Sequence, residues 1–513
     1  MTKSISSFQS FWILFSLSVL VFLINVDYTA VNLALVSIAA DMEAPLNTVQ
    51  WVLSAYVLSW GAFVVLAGKM ADIYGKRRIL LYGVWIFVIA SAIIGLSADP
   101  YILIAGRVLQ GIGGALFVPP IYSLVFMTAP PEKQGFVIGV LGGAAGLGLA
   151  TGPSFGGLIL SYLGWDWIFF VNIPLGLIVI AVILLVVDKE PKLVSENKVD
   201  HVGAGLLAIG LVFLMIAFNQ AEAWGIDSVY LYVLMAFGFG ALYLFGKQQR
   251  GKAEQMIPFS FFKNKTYLGC VGGVFVFELI FSSFIVLMGL YLQNILDYDA
   301  KIAGYIFLSM TLSFGLFSPL GGKLVDLVDG RIPLVGGMLL LFAGLSITLF
   351  FDGSSSLTQI ISAFLLVGLG FGLSLSPVNA IMMQSVDEKD VSTAAGIFAM
   401  SALVGCTIGV IFASSLLTGL ARGFLTQSLV SADFVLSSEQ TRTLFTVATS
   451  ARYSPEHLTG FPLEILPKVL QLIDGSFLHA MSYVQMASMV LALLGALGSY
   501  YFIRVKPKKP KAA

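Results

Sequence analysis

From Phe11 onward the sequence repeats one theme: a run of about 20 apolar residues, long enough to cross a bilayer as a helix, followed by a short polar break. The runs lie at 11–36, 49–67, 79–97, 101–123, 135–160, 167–187, 202–219, 228–246, 266–293, 302–321, 333–350, 357–383, 391–420 and 477–503. Hydrocarbon offers backbone N–H and C=O groups no water, so each run must close its hydrogen bonds internally as a helix. The predicted fold is therefore all-α and integral to the membrane, with fourteen transmembrane helices. Composition agrees, since only 11% of the residues are charged against about a quarter in a soluble domain. Lys3 before the first run suggests the start of a secretory signal, but the run is long and lacks a clear cleavage site. It is read as an uncleaved helix.

Charge excludes several functions. The 28 basic and 28 acidic residues cancel, so nothing here attracts nucleic acid. Three scattered histidines (His201, His457, His479) without an HExxH pairing make no metal centre, and Cys270 and Cys406 sit in apolar runs as small hydrophobes. No GxxxxGK[ST] loop is present, so neither ATP nor any cofactor is the predicted fuel, and an enzyme is not expected. The basic residues are sorted by side. Apart from Arg107 inside a run, Lys301, and Arg422, Arg442, Arg452 and Lys468 in the long segment 421–476, every Lys and Arg lies on the face that carries both chain ends. Positive charge marks the cytoplasmic face, which predicts cytoplasmic termini in the cell (inner) membrane and an external loop at 421–476.

The chain also echoes itself. Gly68-Lys69-Met70-Ala71-Asp72 after the second run recurs as Gly322-Lys323-Leu324-Val325-Asp326 after the tenth, and Gly111-Ile112-Gly113 with Pro120 recurs as Gly368-Leu369-Gly370 with Pro377. Matching positions relative to the membrane indicate duplication. The expected division is an N-terminal six-helix bundle (1–195), two linking helices (196–255) and a C-terminal six-helix bundle (256–513).

These motifs resemble those of the fourteen-helix drug/proton antiporter family of the major facilitator superfamily, over nearly the whole chain. The segment Gly68 to Arg78, with Asp72, Gly75, Lys76, Arg77 and Arg78, resembles the superfamily's cytoplasmic gating loop, in which Asp and basic residues bridge the two halves. Read directly, it is an ionic latch made in one conformation and broken in another. Gly148, Gly152, Pro153, Gly156 and Gly157 resemble the antiporter motif. Glycines at 148, 152 and 156 share one helix face and permit close helix approach. Asp27 to Leu35, including Asn32, and Trp165 to Pro174 also match the branch.

Three acidic or basic groups lie within the runs: Asp27, Arg107 and Glu278. Intramembrane charges are costly and mark substrate or proton paths. The resemblance places Asp27 in the central cavity with Asn32 and Gln110 in support. Arg107 shares a face with Gln110 and is positioned to hold Asp27 or another carboxylate deprotonated. Glu278, with Ser282 a turn further on, is expected as a second proton or substrate carboxylate. The implied activity is proton-driven export of amphipathic or cationic compounds by alternating access, with the small molecule, protons and the bilayer as partners and room for a periplasmic adaptor. Export of a physiological metabolite such as a siderophore, lipid or amino acid, and a non-transporting sensor or assembly role, are the competing readings.

Overall fold

The computed structural model describes residues 7–188, 200–225, 227–252, 255–431, 440, 444 and 466–503. Among the described residues, fourteen helices are long and apolar enough to cross a membrane: α1 (Phe8–Asp41), α2 (Asn47–Tyr74), α3 (Lys76–Gly95), α4 (Pro100–Thr128), α5 (Pro131–Tyr162), α6 (Asp166–Val186), α7 (His201–Ala221), α8 (Val229–Gln249), α9 (Lys265–Ile295), α10 (Lys301–Leu327), α11 (Arg331–Thr348), α12 (Leu357–Gln384), α13 (Glu388–Ser431) and α14 (Leu466–Phe502). The breaks carry the caps that free backbone N–H groups require. Asp99 accepts from Tyr101 and Ile102 at the start of α4, Asn264 from Thr266 and Tyr267 at α9, and Asp299 from Ile302 at α10.

The helix pairs are duplicated. α1 packs on α5 as α9 packs on α13, α2 on α4 as α10 on α12, and α3 on α4 and α6 as α11 on α12 and α14. Two seams join the sets, α5 with α10 and α13 with α2, while α7 and α8 form a hairpin whose α7 rests on α2 and α13. α8 has only 22% of its span buried, so it faces lipid. Water does not drive these contacts inside a bilayer; close packing of small residues does. Along one seam a Cβ on Gly322 would overlap the Gly135 carbonyl, and one on Gly143 would lie 2.8 Å from the Gly315 carbonyl. Along the other, Gly68 abuts the Ser392 carbonyl and a Cβ on Gly396 would sit 2.6 Å from that of Val64. These approaches cluster on the side of the chain ends. On the opposite face of α5, Gly148, Gly152 and Gly156 meet Phe22, Thr29 and Ala30 of α1. The close approaches of α5 and α10 thus lie on the side of the chain ends.

Two boundaries differ from the sequence reading. The segment from Gly68 to Arg78 is not a loop, because α2 continues to Tyr74 and α3 begins at Lys76, with Gly75 (φ 101°) alone making the turn. The predicted external loop 421–476 is shorter, since α13 runs to Ser431 and α14 starts at Leu466. Buried Ala421, Leu425 and Leu429, and then Val469 and Ile473, keep a four-residue spacing that extends the helices past the apolar runs. Arg442, Arg452 and His457 of that segment, the 195/196 boundary, and Lys3, Lys189, Lys192, Lys198, Arg504, Lys506, Lys508, Lys509 and Lys511 lie outside the described residues.

Candidate functional site

Three arrangements bear on function: a buried ion pair, a central cavity, and two caps that clasp the seams. The ion pair joins Arg107 of α4 to Asp27 of α1, Nη1 donating to Oδ2 at 2.6 Å, with both side chains sealed from solvent. Removing two charges from water costs several kcal/mol each and is offset only by full hydrogen bonding. The surroundings supply it. Gln110 and Asn172 donate to Asp27 Oδ1 at 3.2 and 3.0 Å, both also reach Ser91 Oγ, and Arg107 Nε donates to the Val52 carbonyl at 2.9 Å. The guanidinium lies 4.0 Å from the Tyr56 ring centroid, a cation–π distance, and its Nη2 has no acceptor among the described residues. Residues from α1, α2, α3, α4 and α6 thus meet around one carboxylate.

The cavity holds about 500 Å³ between the two helix sets. Tyr28, Trp60 and Tyr122 line one side and Phe281, Phe314, Phe371 and Phe398 the other. Among the described residues, Glu278 is the one carboxylate on its wall, no Lys, Arg or His lines it, and none of the ion pairs involves Glu278. Ser282, one turn on, donates to the Glu278 and Cys406 carbonyls, which steadies α9 against α13 without engaging the carboxylate. Trp60 Nε1 and Asn379 Oδ1, also on the wall, are buried without partners among the described residues. The wall can therefore receive a flat or branched apolar body of drug size, stack on a delocalised cation, and offer one carboxylate.

The caps are the duplicated Gly-Lys-x-x-Asp motifs. Asp72 accepts from Ser392 N (3.1 Å), Thr393 N (2.7 Å) and Thr393 Oγ1 (2.7 Å) at the start of α13. Asp326 accepts from Gly135 N and Phe136 N, both at 2.9 Å, at the start of α5. Each carboxylate caps a helix across a seam, and Ser123 adds a bond to Ser392 at 2.8 Å.

Several expectations need correction. Among the described residues the latch is not an ion pair between halves: Lys76 at the start of α3 pairs with Asp72 at the end of α2, in the same half, at 3.3 Å, Arg77 donates to the Leu184 carbonyl, and Arg78 lies over Tyr82. The free N–H groups and positive end of α13 take the role that an opposite charge was expected to play. Asp27 and Gln110 do not line the cavity, because they point into the core of the first helix set, where Arg107 holds them. Asn32, one turn past Tyr28, is exposed and outside the cavity wall. Gly148, Gly152 and Gly156 do share a packed face, whereas Gly157 has nothing within 4 Å of a Cβ and Pro153 lies inside the helix. Sequence reasoning missed Ser91, Asp326 as a cap, Ser392 and Thr393, and the aromatic wall. The repeat at Asp326 was the available signal for the second cap. Nothing distinguished wall phenylalanines among 40.

Similarity to known proteins agrees with this geometry. The chain is 29% identical over 394 residues to multidrug resistance protein Stp of Mycobacterium tuberculosis, covering 76% of this chain and 72% of that protein. It is 25% identical over 511 residues to multidrug transporter protein MdtP of Bacillus subtilis, covering 97% and 93%. The fold matches that of the proton:xylose symporter XylE with a TM-score of 0.61 at 12% identity, covering 97% and 96%. The family model described as Major Facilitator Superfamily matches residues 17–410 and 270–502. A multi-pass chain of fourteen helices with paired helix sets around a central cavity, this protein belongs to the Major Facilitator Superfamily, and is a transporter and not an enzyme.

Proposed function

We propose that the protein is a proton-coupled exporter of amphipathic cationic compounds that works by alternating access. The observation that carries this reading is the cavity, an aromatic wall of drug size on which, among the described residues, Glu278 is the one carboxylate and no Lys, Arg or His stands. The multidrug relatives support the substrate class. Residues 1–195 and 256–513 act as the two rocking bundles and 196–255 as the linker. The chain ends face the cytoplasm of the cell (inner) membrane, so the tight side of the seams is the closed inner gate and the far side is the exit. Any periplasmic adaptor would meet that far side.

In this cycle a cation binds Glu278 from the inside, the bundles rock, and protons arriving from outside neutralise Glu278 and release the cation. Asp27 serves the return step. Its pairing with Arg107 keeps the charged form satisfied in the closed core, and protonation would free the guanidinium and loosen the contact of α1 with α4. One proton crossing 100 mV supplies about 2.3 kcal/mol, and a unit of pH gradient about 1.4 kcal/mol. A monovalent cation leaving against the same potential costs about 2.3 kcal/mol, so exchange for one proton sustains about a tenfold gradient and exchange for two sustains several thousandfold.

The test is substrate-dependent proton movement in inverted vesicles or proteoliposomes, comparing the parent with Glu278→Gln and Asp27→Asn. Both variants should lose coupled export. Parent-rate transport by both would refute the assignment of coupling, and failure of any compound in a broad cation panel to move would refute drug export.

A further inference from the structure

One wall of the cavity comes from outside the duplicated helix pairs. Phe218 and Asn219, near the far end of α7, line it. α7 is held there by two anchors. Midway along the helix, Met215 fills the notch left by Gly61 of α2, where a Cβ would overlap its thioether and lie 3.5 Å from Leu403 of α13. At the side of the chain ends, Asp200 knots the hairpin, accepting from Gly203 N (3.1 Å), Gln248 (3.0 Å), Gln249 (2.6 Å) and Lys252 (2.5 Å). Burial opposes ionisation of Asp200, but these donors outweigh it and hold its carboxyl well below the usual carboxylate range. Gln249 is itself fixed by accepting from Met256 N at 2.7 Å.

The hairpin therefore sits on the α2/α13 seam as a fixed wall. Among the described residues the opposite seam has no such cover, since Phe155 and Leu158 of α5 and Leu312 and Leu316 of α10 are exposed. The outer cavity is thus lopsided: α7 bounds one seam and lipid the other. Met215 of α7 and Leu403 of α13 meet at Gly61, while Gly405 and Gly409 of α13 abut Phe275 and Leu279 of α9, so Phe218 stands at about the depth of Glu278 on another side of the cavity. A guest whose charge sits at Glu278 would direct its remote end toward Phe218 and Asn219.

We propose that α7 is a specificity wall, the Phe218 ring and Asn219 carboxamide sorting cationic amphipaths by the bulk and polarity of the end remote from the charge. This rests on the export reading above. The experiment measures binding and transport in proteoliposomes of tetraphenylphosphonium, ethidium and benzyltrimethylammonium by the parent, Phe218→Ala, Phe218→Trp, Asn219→Ala and, on the lipid face of α8, Phe239→Ala. Phe218→Ala should weaken tetraphenylphosphonium about fivefold, the value of one lost aromatic contact, while benzyltrimethylammonium is unchanged. Phe218→Trp should shift the ratio the other way, Asn219→Ala should alter the order of ethidium and tetraphenylphosphonium, and Phe239→Ala should preserve it. If Phe218→Ala fails to fold, Phe218→Leu with matched thermal stability replaces it. A parent that transports and loses transport with Glu278→Gln, yet keeps its order of preference in every α7 variant, overturns the specificity wall alone. A parent that binds none of the three cations overturns the wall together with the export reading.

Discussion

Removal of Asp72 should open the closed seam, and the structure sets how far. Its carboxylate is almost fully buried and accepts three hydrogen bonds at the start of α13. Losing an N-cap costs about 0.5–2 kcal/mol, and the interaction of a carboxylate with the positive helix end adds about 0.3–1 kcal/mol. Ser392 and Thr393 are buried, so water does not readily replace the lost acceptor. Asp72→Ala should therefore destabilise the closed arrangement by about 2 kcal/mol, a shift of roughly thirtyfold at about 1.36 kcal/mol per decade. Asp326→Ala should do less, about 1 kcal/mol or fivefold, because Phe136 stands where the other cap has Thr393 and brings no hydroxyl. The assay is pulsed electron paramagnetic resonance in nanodiscs, with spin labels on encoded amino acids at exposed Glu132 and Glu388, so that Cys270 and Cys406 stay in place. Asp72→Ala should raise the long-distance population, with Asp72→Asn intermediate because one oxygen still accepts. An unchanged distribution, or Asp326→Ala shifting it as much as Asp72→Ala, would refute the reasoning.

Asp27→Leu strands Arg107 in an apolar core and should cost about 3–5 kcal/mol, whereas adding Arg107→Leu should recover most of that; thermal unfolding in detergent checks it, and a double variant no more stable than the single one sinks the ion-pair account. Glu278→Gln should weaken cationic guests by about tenfold or more, the scale of a charge-assisted hydrogen bond, and leave neutral analogues of the same shape unchanged in equilibrium dialysis. Gly152→Ala forces a methyl onto Thr29 of α1 and should cost about 1–3 kcal/mol, while Gly157→Ala, with open space around it, should be neutral; equal melting shifts would contradict the packing described. Because the Asp200 carboxyl is held below its ordinary value, the α7–α8 knot should stabilise the fold fully above the ordinary carboxylate pKa and weaken as pH falls beneath it. An Asp200→Ala variant should show a flatter melting profile in acid, and a parallel profile would exclude the knot as the cause.

Most of the architecture was legible because lipid imposes so few solutions. Apolar runs had to be helices, and positions such as Gly68-Lys69 and Gly322-Lys323 exposed the duplication before any contact was known. Helix ends were less legible, since the buried four-residue spacing of Ala421, Leu425 and Leu429 continues α13 through residues whose average polarity reads as loop. The pairing of Asp27 with Arg107 was anticipated only as one option, and its sealed position was not, because sequence spacing reports a helix face without saying what that face meets. The gate shows the same gap. A motif rich in Lys and Arg suggested opposite charges across the seam, yet there Asp72 meets the Thr393 hydroxyl and two backbone N–H groups, and the N–H groups are ones no residue type advertises.

The duplication also shows why the two acids need not do the same work. Gly148 abuts the Phe22 carbonyl as Gly405 abuts that of Phe275, and Gly152 meets Val26 and Thr29 as Gly409 meets Leu279 and Ser282. That correspondence sets Asp27 against Ile280 and Glu278 against Asn25. By the parallel match of Gly111 with Gly368, Arg107 stands against Phe364. The second helix set thus packs apolar side chains where the first buries a charged pair, so the ion pair is not a requirement of the fold. Conversely, the first set places an uncharged amide at the cavity position where the second places Glu278. Each half has kept one acid in a site its twin lacks, one closed in by partners and one open to a guest. If both served packing, exchanging Asn25 and Glu278 would be silent. Under the export reading the exchange moves the carboxylate across the cavity and should change which cations bind while leaving the melting temperature near that of the parent.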